Sequence, residues 1–335
     1  MTRPPARTLA LAAACAALLA LPACARLPAP AAPPAAGPGG QAPLVVQPQQ
    51  AARIAAAATG PLAAAADPAT ADLDALAART TGPELDLRRA AATIAAAGAT
   101  PPAAGADDLD ALSSVLPRQE GWPRWFLTVT EPGADRKPSV VVLRSASARE
   151  PYRVWATPSL LPGASLPTTG APADGAAVVA ADEDANLPMS PRAAAERYAD
   201  VLLRGDDSAF ADQFAPDAYR AGVVGSTEQQ TSALEGSGGS LTQERTPLPD
   251  PVLAVRTRDG GALVVAGYRS SVTASGPEGG RPGRLQEAAA ALAGRTDVTS
   301  VTTVVEEVVV LALPPGRGPV SVVAVQSGPV EVRVP

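Results

Sequence analysis

Residues 195–219 read AERYADVLLRGDDSAFADQFAPDAY, and the fold follows from how this stretch is punctuated. Just upstream, Ser190 suits a helix N-cap and Pro191 the first helical turn, where a missing N–H costs nothing. Ala194, Tyr198, Val201 and Leu202 recur at helical spacing and predict one apolar face; Gly205 can end the helix. Phe210 and Phe214, four apart, predict a second short helix within 206–219. The Gly-rich GSGGS at 236–240 predicts a flexible loop. It lacks the Lys-Ser/Thr and the strand-to-helix setting of a phosphate loop. Strands are predicted at 251–257, 261–274, 301–313 and 319–334. The last ends in VEVRV, with Val330, Val332 and Val334 on one face and Glu331 and Arg333 on the other. The apolar run at 301–313 is too short for a membrane helix and is interrupted by Glu306 and Glu307.

The first half of the chain repeats that order. Residues 47–79 are helix-rich, with Pro48 in a first turn and breaks at Gly60-Pro61 and Asp67-Pro68. GPELDLRRAAATIAAAG (82–98) continues in helical style. Then RWFLTVT (124–130), SVVVLRS (139–145) and YRVWATPSLL (152–161) turn β-branched and aromatic and predict an antiparallel meander. Residues 162–189 are rich in Pro, Gly, Ala and acids and predict a linker, to which AAVVAA (176–181) adds a short strand. Helices followed by strands, twice over, predict an α+β fold. The expected architecture is two tandem units, 44–161 and 190–335, each with helices packed on a curved antiparallel sheet. QPQQAAR against SPRAAAE, and RTTGPELDLRRA against DQFAPDAYRAG, match weakly and suggest a duplication.

The opening stretch resembles the start of NTF2-like domains of the SnoaL or ketosteroid-isomerase type. The matching positions are the Gly205-Asp206 turn and Ala215-Pro216-Asp217-Ala218. The resemblance implies an NTF2-like or cystatin-like unit, 190–335, whose helices and sheet form a cone. Nearly all of the chain after Cys24 is also similar to secreted actinobacterial lipoproteins with an uncharacterised domain. RTTGPELDLRR, PRWFLTVT and LPMSPRAAAERYADVL carry that similarity. It implies tandem cystatin-like or NTF2-like units on the outer face of the cell membrane and brings no assigned activity.

The N-terminus fits such an address. Arg3 and Arg7 precede an apolar run from Leu9 to Leu21, about 20 Å of helix and too short to span a bilayer. Leu21-Pro22-Ala23-Cys24 resembles a lipobox. The expectation is a signal peptide over 1–23 and lipid attachment, palmitate included, at Cys24. The Pro/Ala/Gly-rich tether that follows, 24–43, has too little apolar bulk to fold. An ordinary signal peptide cut near ACA is the alternative.

Composition excludes several activities. The chain has no histidine, which removes Asp–His dyads and Ser–His–Asp triads. The mature chain has no cysteine besides Cys24, so zinc and copper sites and disulfides are not expected. The net charge of −6, with scattered basic residues, argues against nucleic acid. Asp182, Asp184 and Asn186 space like the start of a calcium loop, but Leu187 and Ala193 stand where it needs Gly and Glu. An acidic linker is the plainer reading. DLDAL occurs at 72–76 and 108–112, and a helix N-terminus explains it more simply than a partner motif. In a cone, Asp217, Tyr219, Tyr198 and Tyr268 would be the candidates for proton transfer, although core packing and a turn account for them as well. No catalytic, cofactor or metal residue is therefore assigned.

Trp122, Trp125 and Trp155 all fall in the first unit and are expected to fill its core. Trp125 and Phe126 point to opposite strand faces, so one of them is expected under a helix or at an exposed contact. The functional expectation is a non-enzymatic binding or scaffolding module of the cell envelope, anchored through Cys24, with an unknown envelope protein as partner. The alternative is a carrier that holds an apolar ligand or lipid in the cone; an isomerase- or cyclase-type enzyme ranks third.

Overall fold

The computed structural model describes residues 41–102, 109–131, 137–248 and 252–335. Three helices come first: α1 Pro48–Ala64, α2 Leu73–Arg79 and α3 Gly82–Ala96. Pro48 opens α1, and the Asp72 carboxylate caps α2 by accepting from the backbone of Asp74 and Ala75. Seven strands follow: β1 Ala111–Val115, β2 Pro117–Arg118, β3 Arg124–Thr130, β4 Val140–Ser145, β5 Arg153–Ala156, β6 Ser159–Leu160 and β7 Ala176–Ala177. The second half contributes α4 Pro191–Arg204, α5 Ala218–Glu235, β8 Ser240–Pro247, β9 Leu253–Arg256 and β10 Ala262–Ser275. It ends with β11 Gly283–Arg284, α6 Glu287–Ala293, β12 Asp297–Val298, β13 Ser300–Leu313 and β14 Ser321–Arg333. The fold is mixed α+β.

Two antiparallel sheets organise it. One has the order β1-β3-β4-β5; the other runs β6-β14-β13-β10-β8, with β9 also on β10. The apolar runs at 140–143 in β4 and 308–313 in β13 are continuous because both faces of these stretches are covered. On β4, Val141 and Leu143 pack beneath α1 and α2, while Val140 and Val142 face the larger sheet. On β13, Val308 and Val310 meet the smaller sheet, while Val309, Leu311 and Leu313 pack beneath α4. The order of layers is helices, small sheet, large sheet, helices.

The shared middle core joins the segments expected as two units. Trp125 and Trp155 lie in it, against Leu263, Val265 and Val323. Trp125 and Phe126 do face opposite ways, but both are buried, Phe126 under α1. Trp155 is wedged at the junction: a Cβ on Gly82 would lie 2.6 Å from its ring, and one on Gly267 of β10 would lie 3.2 Å away. A polar lock adds to this. Glu84 of α3, fully buried, accepts from Arg88 Nε at 3.0 Å and from Thr157 Oγ1 and Gln326 Nε2 at 2.8 Å each. Residues 162–189 run packed across the sheets. The expected short strand forms as β7 beside β2, Val178 bridges to Val255, and Val179, Leu187 and Met189 are buried. Residues 41–335 form one compact unit.

Three local expectations change. Residues 206–217 hold two 3-10 turns, Gly205–Asp207 and Ala211–Gln213, in place of a helix. Phe214 is buried all the same, and Phe210 lies beneath the Arg197 guanidinium. Asp217 begins a helix: its carboxylate accepts from Arg220 N at 2.8 Å and caps α5. Strand β8, helix α5 and helix α6 had no counterpart in the sequence reading.

Candidate functional site

Four side chains were singled out for a cone, and the structure separates them. Tyr198 is buried on α4 and donates to Asp217 at 3.1 and 3.2 Å. Asp217 spends its remaining capacity on the cap of α5. Tyr268 is buried on β10 and donates to the Ala195 carbonyl at 2.8 Å. Burial, and for Tyr198 also the Asp217 carboxylate, pushes both hydroxyls far above the ordinary phenol range. These three groups are fixed in structural bonds. Tyr219, one residue into the first turn of α5, is different: it faces a cleft.

That cleft holds about 440 Å³ between α5 and the distal half of the large sheet. Register builds its floor. Ser270 on β10 sits opposite Arg245 on β8, and Tyr268 opposite Glu307 on β13. Side chains two residues apart share a face, so Arg245, Ser270 and Glu307 converge under α5. Arg245 grips Glu307 with both arms, Nε to Oε2 at 2.8 Å and Nη2 to Oε1 at 3.2 Å. Ser270 Oγ donates to Glu307 Oε2 at 2.5 Å and accepts from Arg245 Nε at 2.8 Å. The Tyr219 hydroxyl donates to Glu307 Oε1. Burial first, then the Glu307 carboxylate, raises the Tyr219 hydroxyl far above its usual range; Ser327 and Arg245 offset part of this.

The pair is deep: side-chain exposure is 6% for Arg245 and 2% for Glu307. Arg245 Nη1 is buried and has no hydrogen-bond partner among the described residues. Above the floor, Val223, Val272 and Val305 supply the apolar part of the walls, beside Ser226, Thr227, Gln230, Thr303 and Ser327. Gln243 Nε2 donates to Thr227 Oγ1 at 2.8 Å and links β8 to α5 across one end.

A larger groove, about 610 Å³, lies between the end of α4 and α5. It is a less specific place for a ligand. Its walls carry Arg204, Asp206, Asp207, Arg220 and Glu228, and Arg220 already pairs with the fully exposed Asp206 at 2.5 Å. A pair with a fully exposed partner adds little and is screened by salt.

The remaining sequence candidates resolve as follows. Asp182 pairs with Arg192 at 2.7 Å and Glu183 with Arg256 at 2.5 Å. Among the described residues no group of three or more His, Cys, Asp or Glu is placed to hold a metal. The first DLDAL is the cap of α2; of the second, Asp108 lies outside the described residues, and Ala111 and Leu112 begin strand β1, so the expected helix N-terminus is not there. Trp122, expected in the core, is instead 39% exposed, with the Arg124 guanidinium 4.7 Å above its ring. Residues 1–40, and with them the expected signal peptide, Cys24 and most of the tether, lie outside the described residues. No described helix is long and apolar enough to cross a membrane.

Arg245, Ser270 and Glu307 were not anticipated as a site. The available signal was Glu307 itself, a carboxylate inside the apolar run VTTVVEEVVVLAL, which a buried strand holds only with a partner.

A family described as "Domain of unknown function (DUF8094)" matches residues 49–332. A protein of Streptomyces avermitilis, "Uncharacterized lipoprotein", is 32% identical over 150 residues; these make up 44% of this chain and 43% of that protein. The match thus spans less than half of that relative's length. No solved structure matches this chain.

Proposed function

The chain belongs to the DUF8094 family, and from that premise we propose a lipid-anchored binding protein of the cell envelope. It takes a small, mostly apolar molecule into the cleft between α5 and the large sheet and does not transform it. The anchor is Cys24, as the lipobox-like LPAC suggests, and the name of the Streptomyces relative supports a lipoprotein. The extracytoplasmic face follows from the same processing. The tandem NTF2-like reading belongs to this proposal too. It draws support from the order of helices and then sheet in each half, and from a cleft where such a cone would open.

One observation carries the binding reading: a cleft of about 440 Å³ in which Val223, Val272 and Val305 stand among polar side chains and Arg245, Ser270, Glu307 and Tyr219 converge on the floor. The absence of chemistry is inferred from the state of those groups. A general base needs a free lone pair aimed at substrate. Glu307 accepts from Arg245 twice, from Ser270 and from Tyr219. The Tyr219 hydroxyl is held protonated.

Native mass spectrometry of the protein released without denaturant from actinobacterial envelopes tests this. A bound small-molecule mass, lost in Val272→Trp, supports the reading; a bare polypeptide in both sinks it. A second reading, a scaffolding module for an envelope protein, is favoured by Trp122, which is exposed beside Arg124. Cross-linking through position 122 in intact cells is its test.

A further inference from the structure

We infer that the ligand of the α5 cleft is electrically neutral and presents a hydrogen-bond acceptor, a carbonyl or ester oxygen, to Arg245 Nη1. This inference rests on the binding reading above and specifies its ligand class.

The first argument is a count of donors and acceptors. Glu307 Oε2 accepts from Arg245 Nε and Ser270 Oγ, and Oε1 accepts from Arg245 Nη2 and Tyr219. The carboxylate is saturated. Of the guanidinium, Nε and Nη2 are engaged, and Nη1, although buried, has no acceptor among the described residues. What the floor lacks is an acceptor. A site with an unpaired buried donor favours molecules that supply an acceptor and rejects analogues that lack one.

The second argument is charge. Arg245 and Glu307 are the two charged residues lining the cleft, and they neutralise each other. An anionic head near Nη1 would also face the Glu307 carboxylate, and a cationic head would face the guanidinium. Either would bring an uncompensated charge into a poorly solvated place. A neutral oxygen completes the guanidinium at no such cost. The third argument is shape. Val223, Val272 and Val305 flank the path to the floor among Ser226, Thr227, Gln230, Gln243, Thr303 and Ser327, so the hydrocarbon of the ligand lies along the valines. Nη1 is covered by its surroundings, so the incoming oxygen has to displace part of that cover, and the wall of the cleft formed by α5 is the one placed to give way. That helix is suited to yield: none of its 18 residues is fully buried, and it carries Gly222 and Gly225 in its interior.

The test is isothermal titration calorimetry on residues 41–335 with four ten-carbon probes: 2-decanone, decane, decanoate and decylammonium. The expected result is that 2-decanone binds about tenfold or more tightly than decane and than either ion. In Arg245→Met/Glu307→Met, which removes both charges together, the ketone and decane should bind alike. Equal binding of ketone and decane to the wild-type protein would leave the binding reading standing and overturn the head-group inference. Tightest binding of either ion would overturn it as well. Binding of none of the four would remove the binding reading itself. The comparison among probes on the wild-type protein decides the matter even if the double variant does not fold.

Discussion

Glu306 and Glu307 are neighbours on β13, yet their side chains are buried on opposite faces of the same sheet. Glu307 is held by Arg245 on the α5 side, and Glu306 by Arg269 on the side where α3 packs. Each carboxylate is 2% exposed, but their partners differ: Arg245 is 6% exposed and Arg269 49%. One pair is sealed and the other opens to water.

Removing Glu307 strands a buried guanidinium. Glu307→Ala is expected to destabilise the protein by about 3–5 kcal/mol, measured by urea unfolding. Arg245→Met/Glu307→Met should recover much of that loss, because no charge is then left alone. A double variant as unstable as the single one would contradict the sealed-pair account.

Glu306 governs a pH effect of opposite sign to the usual carboxylate. Burial raises its pKa above the ordinary value of 4.5, and Arg269 offsets this only in part. The folded state then binds the proton more tightly than the unfolded state. Its contribution to stability is therefore present at low pH and is lost as pH rises through the folded pKa. Glu306→Gln should raise the melting temperature at neutral pH and reduce the decline in stability above 4.5. Melts across that range check it.

Two glycines should respond in opposite directions. Gly82 has φ +59°, and an added Cβ would lie 2.6 Å from the Trp155 ring. Gly82→Ala should cost about 2 kcal/mol or more. Gly225 is exposed in the interior of α5 with nothing within 4 Å of an added Cβ. Gly225→Ala should stabilise by about 0.5–1 kcal/mol. Chemical denaturation of the two variants reads both.

The middle core and the Glu84 lock predict cooperativity across the whole body. Residues 41–335 should unfold in one transition, with tryptophan fluorescence and far-UV dichroism coincident. Gln326→Leu removes the acceptor 2.8 Å from Thr157 N and a donor to Glu84. It should lower stability by about 2 kcal/mol. Two resolved transitions in the wild type would mean that the sheets do not act as one unit.

What was legible in the sequence follows from burial. Strands β10, β13 and β14 are apolar and β-branched because their faces are covered, so they were visible. Helix α4 was visible through Tyr198, Val201 and Leu202, all buried. Helix α5 was not, because no residue of it is fully buried and no apolar stripe forms. Strand β8, SLTQERTP, alternates between exposed and half-exposed positions and carries no apolar run. Asp217 read as a turn residue because its capping role shows only once Arg220 N is placed. The floor of the cleft was hidden for a further reason: Arg245, Ser270 and Glu307 come together through strand register, which local spacing does not encode. Tyr219 was named, but its partner Glu307 lies 88 positions away.

The most direct test of the binding cleft is a methyl-resolved NMR titration of residues 41–335 with 2-decanone. The account predicts that the methyl groups of Val223, Val272 and Val305 shift together and saturably, while those of the middle core stay in place. No shift at these three valines, or shifts confined to the charged groove at Arg204 and Arg220, would contradict it.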